Sequence, residues 1–197
     1  EKQLDVFDAA QRRRALVSLA DLKLTRKPET GNVNMHCHSF FSYNALGWSP
    51  SHIAWRAALD GWYAAGLCDF DVLDGQDEFL DAGRRLGLRT TVNLETRAFL
   101  KEYADTDINS PGEPGVTYIM GCGFVRSYPP ASSQATFLQN LRRQAGLRNQ
   151  ALIDRINPHV KDIALDYRLE VVPLSPGGCP TERHIIRAYT TKAKTVF

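Results

Sequence analysis

The sequence predicts an α/β chain built around a parallel sheet, and three observations carry that prediction. Segments with strand character alternate with amphipathic ones, in the order strand, helix, strand, helix, strand, across residues 32–95. Capping and breaking residues fall where these segments meet. A composition of 43% hydrophobic and 23% charged residues over 197 positions supplies apolar mass for one sizeable core.

Leu4, Phe7, Ala10, Leu16 and Leu19 recur at helical spacing among charges, which reads as a leading helix over 4–22. A polar linker at 25–31 follows, so residues 1–31 form an N-terminal helix and linker and residues 32–197 the α/β domain. Asn32 to His38 alternates like a strand. Ser49 is placed to cap a helix with Pro50 in its first turn, Ile53–Ala65 as its body and Gly66 as its stop. A strand over Leu67–Asp71 comes next. Asp74 is expected to cap a helix bearing Phe79, Leu80 and Leu86, and Gly87 leads into a third strand over Leu88–Glu95.

This alternation favours parallel strands with right-handed crossovers, in a sheet either open or closed into a barrel. Asn109–Gly115 reads as a loop and a candidate lid, followed by a fourth strand over Val116–Phe124. From Ser132 the apolar spacing predicts a long helix, interrupted at Gly146 and stopped before Pro158. Asn157–Tyr167 reads as a further helix, and Thr181 as the cap of a final one bearing Ile185, Ile186 and Tyr189.

Charge and cysteine content narrow the function classes. Lys and Arg number 24 against 22 Asp and Glu, a net charge of +2, so bulk electrostatics recruit neither nucleic acid nor an anionic membrane and any anion must be held locally. The four cysteines form no Cys-x-x-Cys pair, which argues against a zinc ribbon or disulfide framework and for a reducing, cytoplasmic setting. No run of about 18 apolar residues is present and the first residues are polar rather than signal-like.

His36 and His38 are two apart on a strand, so both imidazoles face one side about 7 Å apart. Two such histidines are also common as a hydrogen-bonded surface pair. Glu95, at the end of a neighbouring strand, would add the negative charge that a divalent Zn, Mn or Fe ion requires; the competing reading pairs it with Arg97 or Arg89. Asp69 and Asp71 could ligate a metal, orient a histidine from behind, or simply begin a turn. Cys37 points to the opposite face and is expected to be a buried, inert thiol. Arg183 on the first turn of a capped helix could grip a phosphate with the free backbone amides, and Arg97 and His184 are further candidates for phosphate contact.

Asn34-Met35-His36-Cys37-His38-Ser39-Phe40-Phe41-Ser42 resembles the opening motif of the PHP (polymerase and histidinol phosphatase) family. Cys68-Asp69-Phe70-Asp71 resembles its second motif and Asn93-Leu94-Glu95 its third, carboxylate-bearing one. Tyr118–Phe124 resembles its fourth strand. The order holds across residues 32–124 and extends less closely to 187 through Thr181-Glu182-Arg183-His184.

The resemblance implies a PHP-like distorted β/α barrel, TIM-barrel-like in outline, with His36, His38 and Glu95 as metal ligands. It implies hydrolysis of a small phosphorylated substrate by metal-activated water. Several positions depart from the pattern: Phe70 and Tyr118 stand where the family keeps histidines, Tyr43 or Asn44 where many relatives have Asp or His, and the closing Asp-x-His is absent. A barrel without its last strands leaves unpaired edges, so the chain is expected to be the N-terminal part of an incomplete barrel. Two other readings stand beside the phosphoesterase: a degenerate PHP module, with a partial metal site or none, that binds a ligand or serves assembly, and a different amidohydrolase-like metal hydrolase.

Overall fold

Val33–Cys37 (β1), Ala64–Phe70 (β2) and Arg89–Phe99 (β3) run parallel side by side, and Val116–Cys122 (β4) completes a sheet of order β1-β2-β3-β4. A computed structural model describes residues 1–22 and 25–197; the two remaining residues of the expected helix-and-linker region lie outside the described residues. The fold is mixed α/β, with the sheet curled into half a barrel. The last pairing corrects the expectation of a parallel sheet: β4 runs antiparallel to β3, from Phe99 opposite Val116 to Asn93 opposite Cys122. The connection between them, residues 100–115, holds only the 3-10 turn Lys101–Tyr103 and no crossover helix of the kind that usually joins parallel neighbours.

Three helices cover one face: Ala9–Asp21 (α1), Pro50–Leu59 (α2) and Gln76–Leu86 (α3). Leu16, Ile53, Trp55, Leu67, Phe79, Leu86 and Val92 are buried between them and the sheet. Ser133–Ile156 (α4) and Glu182–Val196 (α5) close a second cluster around Ile153, Leu165, Val171 and Ile185. Gly146 does not interrupt α4. The helix expected in Asn157–Tyr167 is replaced by short 3-10 turns, because Pro158 removes a backbone donor and Asn157 instead bonds Leu165 through both its side-chain atoms.

The leading helix is split. A 3-10 turn over Lys2–Asp5 precedes α1, whose start is fixed by Asp8 accepting from the Gln11 N–H. The stop of α2 is Gly61 rather than Gly66. Gly61 has φ +71, and a Cβ there would sit 2.2 Å from the Pro28 carbonyl oxygen, where the linker folds back onto the helix end. Gly66 lies inside β2, where the Met35 backbone of β1 leaves no room for a Cβ. Gly75 takes the N-cap position of α3, and Asp74 turns away to pair with Arg142.

One charged residue binds the three helices together. Arg12, 2% exposed, donates to Glu78 through Nε at 3.0 Å and to the Val6 carbonyl at 2.8 Å, and its guanidinium lies 5.0 Å from the Phe40 ring centroid. Glu78 also accepts from the Ser51 N–H at the start of α2, 3.1 Å away. Removing one partner of such a pair leaves a buried charge uncompensated. Glu78→Ala should therefore lower unfolding free energy by about 3–5 kcal/mol in a denaturant titration; a loss near zero would show that Arg12 is satisfied without it.

His184 is 2% exposed in the first turn of α5, and its Nδ1 accepts from the Thr181 N–H at 3.0 Å. Burial, with help from Arg187, pushes its pKa down to about 4. The folded state keeps the ring neutral, whereas the unfolded chain takes up a proton below its ordinary value of about 6.5. Stability is therefore fully present above that pH and falls as the pH drops towards 4, by about 3 kcal/mol. Comparing denaturation of the wild type and His184→Ala at pH 7 and pH 4.5 checks this: the variant should lose much of the acid sensitivity, and an unchanged difference between the two pH values would contradict it.

Candidate metal centre

The parallel register sets Cys37, the last residue of β1, level with Leu67 and Phe70, the last of β2, level with Glu95, while β3 runs on to Phe99, past the strand end expected at Glu95. Strand ends of this kind are where open α/β sheets place their ligands. His36 sits on β1 and His38 immediately after it, so alternation aims both rings at the face opposite the helices. Their ring centroids are 5.0 Å apart. Glu95 of β3 reaches between them: its Oε2 lies 2.9 Å from His36 Nε2 and 3.5 Å from His38 Nε2. The three donor atoms fall within 4.8 Å of one another.

These separations test whether the residues suit a cation. Ligand atoms around a four-coordinate ion with bonds of about 2.1 Å stand about 3.4 Å apart, and around a six-coordinate ion about 3.0 Å apart. A hydrogen bond accounts for the 2.9 Å contact, but 3.5 Å is too long for one. Two neutral imidazoles and one carboxylate form a donor set for Zn, Mn or Fe, so the residues present fit such an ion. Burial holds the His38 imidazole below its ordinary pKa, with Glu95 opposing and His36 reinforcing the shift; a neutral ring is what ligation requires. The arginines that could have claimed Glu95 are engaged elsewhere, Arg89 with Glu29 at 2.9 Å and Arg97 with Glu113 and Glu182.

Neither Asp69 nor Asp71 joins this donor group. Asp69 faces away, 1% exposed, and accepts from Ser39 and Ser42; burial pushes its pKa up to about 6 against those hydrogen bonds. Asp71 adopts φ 59, donates its N–H to the Glu95 carbonyl, and accepts from Thr96 Oγ1 at 2.6 Å. Cys37 is partly exposed rather than buried, and burial of its sulfur region pushes the thiol up to about 11, which keeps it protonated and unreactive.

Aromatic rings occupy the positions where the resemblance would place more histidines. Phe70 stacks flat on His38, with centroids 5.1 Å apart and planes 1° from parallel. Tyr118 meets Phe70 edge-on at 5.9 Å, and the Arg97 guanidinium lies 5.4 Å from the Tyr118 centroid. Beside this ladder opens a cleft of about 530 Å³, lined among others by His38, Tyr43, Arg97, Arg148 and Arg183. Arg183 is thus at the cleft, whereas His184 points into the protein against Thr181 and the Tyr43 ring. Arg97 lines the cleft with its guanidinium already held by two carboxylates.

The sequence places Ser42 in the opening motif without assigning it a role, and does not single out Arg148. Ser42 Oγ lies 3.3 Å from His38 Nδ1 and 2.7 Å from Asp69. Arg148 comes from the middle of α4, and its nearest carboxylate oxygen, on Asp71, is 3.6 Å away. Nothing in the sequence separates Arg148 from its neighbours Arg142 and Arg143; only the docking of α4 does.

No family model matches the chain. A 5'-3' exoribonuclease of Haemophilus influenzae is 26% identical over 125 residues, which are 64% of this chain and 38% of that protein. Among solved structures, a Bifidobacterium adolescentis protein, whose description as a metal-dependent phosphoesterase is itself an inference, matches with a TM-score of 0.61 at 19% identity. An amidohydrolase from Chromobacterium violaceum, solved with sulfate bound and no metal, matches at 0.55 and 19%. These matches cover 85% and 80% of this chain, which spans only 52% and 49% of the two structures. The likenesses establish that the chain shares its mixed α/β fold with these proteins over about half of their length.

Proposed function

We propose that this chain carries the metal-binding part of a PHP-type hydrolase that cleaves a phosphoester with water. The observation that carries the reading is that one donor atom each of His36, His38 and Glu95 lies within 4.8 Å of the others, with Glu95 Oε2 2.9 Å from His36 Nε2 and 3.5 Å from His38 Nε2. A divalent ion held there would supply an acidified water and neutralise phosphoryl oxygens. His36, His38 and Glu95 would hold it, and Phe70 keeps the His38 ring from turning. Arg148 and Arg183, on the wall of the adjoining cleft, are positioned to hold an anionic substrate against it. The exoribonuclease and phosphoesterase descriptions of the similar proteins support a phosphoester as the bond cleaved.

The aromatic ladder favours a second reading. Phe70 and Tyr118 fill the space with rings that ligate nothing, so the module could bind its ligand without turnover.

Metal analysis and hydrolysis assays on protein purified without chelator separate the two. The hydrolase reading expects about one equivalent of Zn, Mn or Fe per chain, lost in His36→Ala/His38→Ala, with turnover of p-nitrophenyl phosphate or bis(p-nitrophenyl) phosphate in manganese. Full metal content in the double variant would remove the site assignment, and metal binding without turnover of either ester would leave the binding reading. Where turnover is seen, Arg148→Ala should raise KM at least about tenfold, the loss of one charge-assisted hydrogen bond; an unchanged KM would take Arg148 out of substrate binding.

A further inference from the structure

Asp69 is buried and makes no contact with the three donor atoms, yet its hydrogen bonds lead to one of them. Its Oδ1 accepts from the Ser39 N–H and from Ser42 Oγ, both at 2.7 Å, and its Oδ2 accepts from Ser39 Oγ at 2.7 Å. Ser39 Oγ in turn accepts from the Phe41 N–H at 3.2 Å, so its own hydrogen is committed to the carboxylate. Three donors directed at two oxygens describe an ionised acid that accepts only.

The consequence passes through Ser42. A hydroxyl has one hydrogen to give, and the short contact to Asp69 takes it. The remaining contact of Ser42 Oγ, 3.3 Å from His38 Nδ1, then needs its hydrogen from the imidazole. A neutral ring that carries its proton on Nδ1 has a bare lone pair on Nε2. That lone pair faces Glu95 Oε2 at 3.5 Å, an acceptor facing an acceptor, which is an arrangement a cation relieves and a hydrogen bond does not.

We propose that Asp69, acting through Ser42, fixes His38 in the Nδ1-protonated tautomer and so presents Nε2 as a ready metal ligand. Asp69 and Ser42 are positioning residues: Phe70 sets the plane of the ring, and the serine–aspartate pair sets which nitrogen is free. The tautomer follows from the hydrogen bonds alone, while its consequence for metal affinity rests on the metal reading above.

The test reads the tautomer directly. Long-range proton–nitrogen correlation spectra of the metal-free chain at pH 8 should show His38 protonated on Nδ1; a signal for the Nε2-protonated form alone would overturn the proposal. Ser42→Ala removes the acceptor of that proton, and should shift His38 towards the Nε2-protonated form and weaken zinc binding about 10–100-fold in a chelator competition. Circular dichroism confirms that the variant is folded, and if it is not, the wild-type tautomer alone decides. A predicted tautomer with unchanged zinc affinity in Ser42→Ala would overturn the positioning role and leave the metal site standing. A wild-type chain that binds no zinc would instead remove the metal reading, with the tautomer still measurable.

Discussion

Glu95 presents one carboxylate oxygen to two imidazole nitrogens, and the organisation of this half-barrel can be traced from that shared point. For the contact to form, Glu95 of β3 must reach past β2 to the end of β1, and the parallel register from Ala64 opposite Arg89 to Phe70 opposite Glu95 sets it level with the last residue of β2. Gly66 allows β1 and β2 to approach closely enough, since any side chain there would meet the Met35 backbone. The helices on the other face hold the sheet in that register, and the buried Arg12–Glu78 pair ties α1 to α3 and, through Ser51, to α2. The helices that stabilise the protein and the three donor side chains therefore lie on opposite faces of the sheet.

What surrounds the three donors defines how much a cation there can do. On one side stand Phe70, Tyr118 and Arg97, in that order from His38 outward. They hold the ring by contact and exclude further ligands from the β2 and β4 positions. On the other side Ser42 and Asp69 address the remaining nitrogen of His38 by hydrogen bonding. The site is thus asymmetric, with His38 restrained by neighbours on both sides and His36, 43% exposed at its side chain, restrained mainly by Glu95.

The sequence disclosed the parts of this arrangement that depend on local pattern. His36 and His38 share a face because strand side chains alternate, and Glu95 lies on a strand that Val92-Asn93-Leu94 announces, although that strand runs on to Phe99 rather than ending at Glu95. The long helix from Ser132 and the final helix after Thr181 were equally legible, since cap and apolar spacing agree. What escaped depends on distant pairing. Arg12 looks like one more charge on a solvated helix, and only packing of α1 on α3 buries it. Gly61 and Gly66 look alike as helix stops until the linker at Pro28 and the backbone at Met35 choose between them. The reversal at β4 goes with the loop's lack of a crossover helix, a weaker signal than the strand itself. Asp69 and Asp71 occupy equivalent-looking strand-end positions, and the turn at Asp71 with φ 59 sends them to different partners.

Anomalous diffraction from crystals grown with manganese or zinc would show whether His36, His38 and Glu95 hold an ion. One strong peak is expected about 2.1 Å from His36 Nε2, His38 Nε2 and Glu95 Oε2. Crystals that take up the metal elsewhere, with the two imidazoles and the carboxylate bonded only to one another, would contradict it.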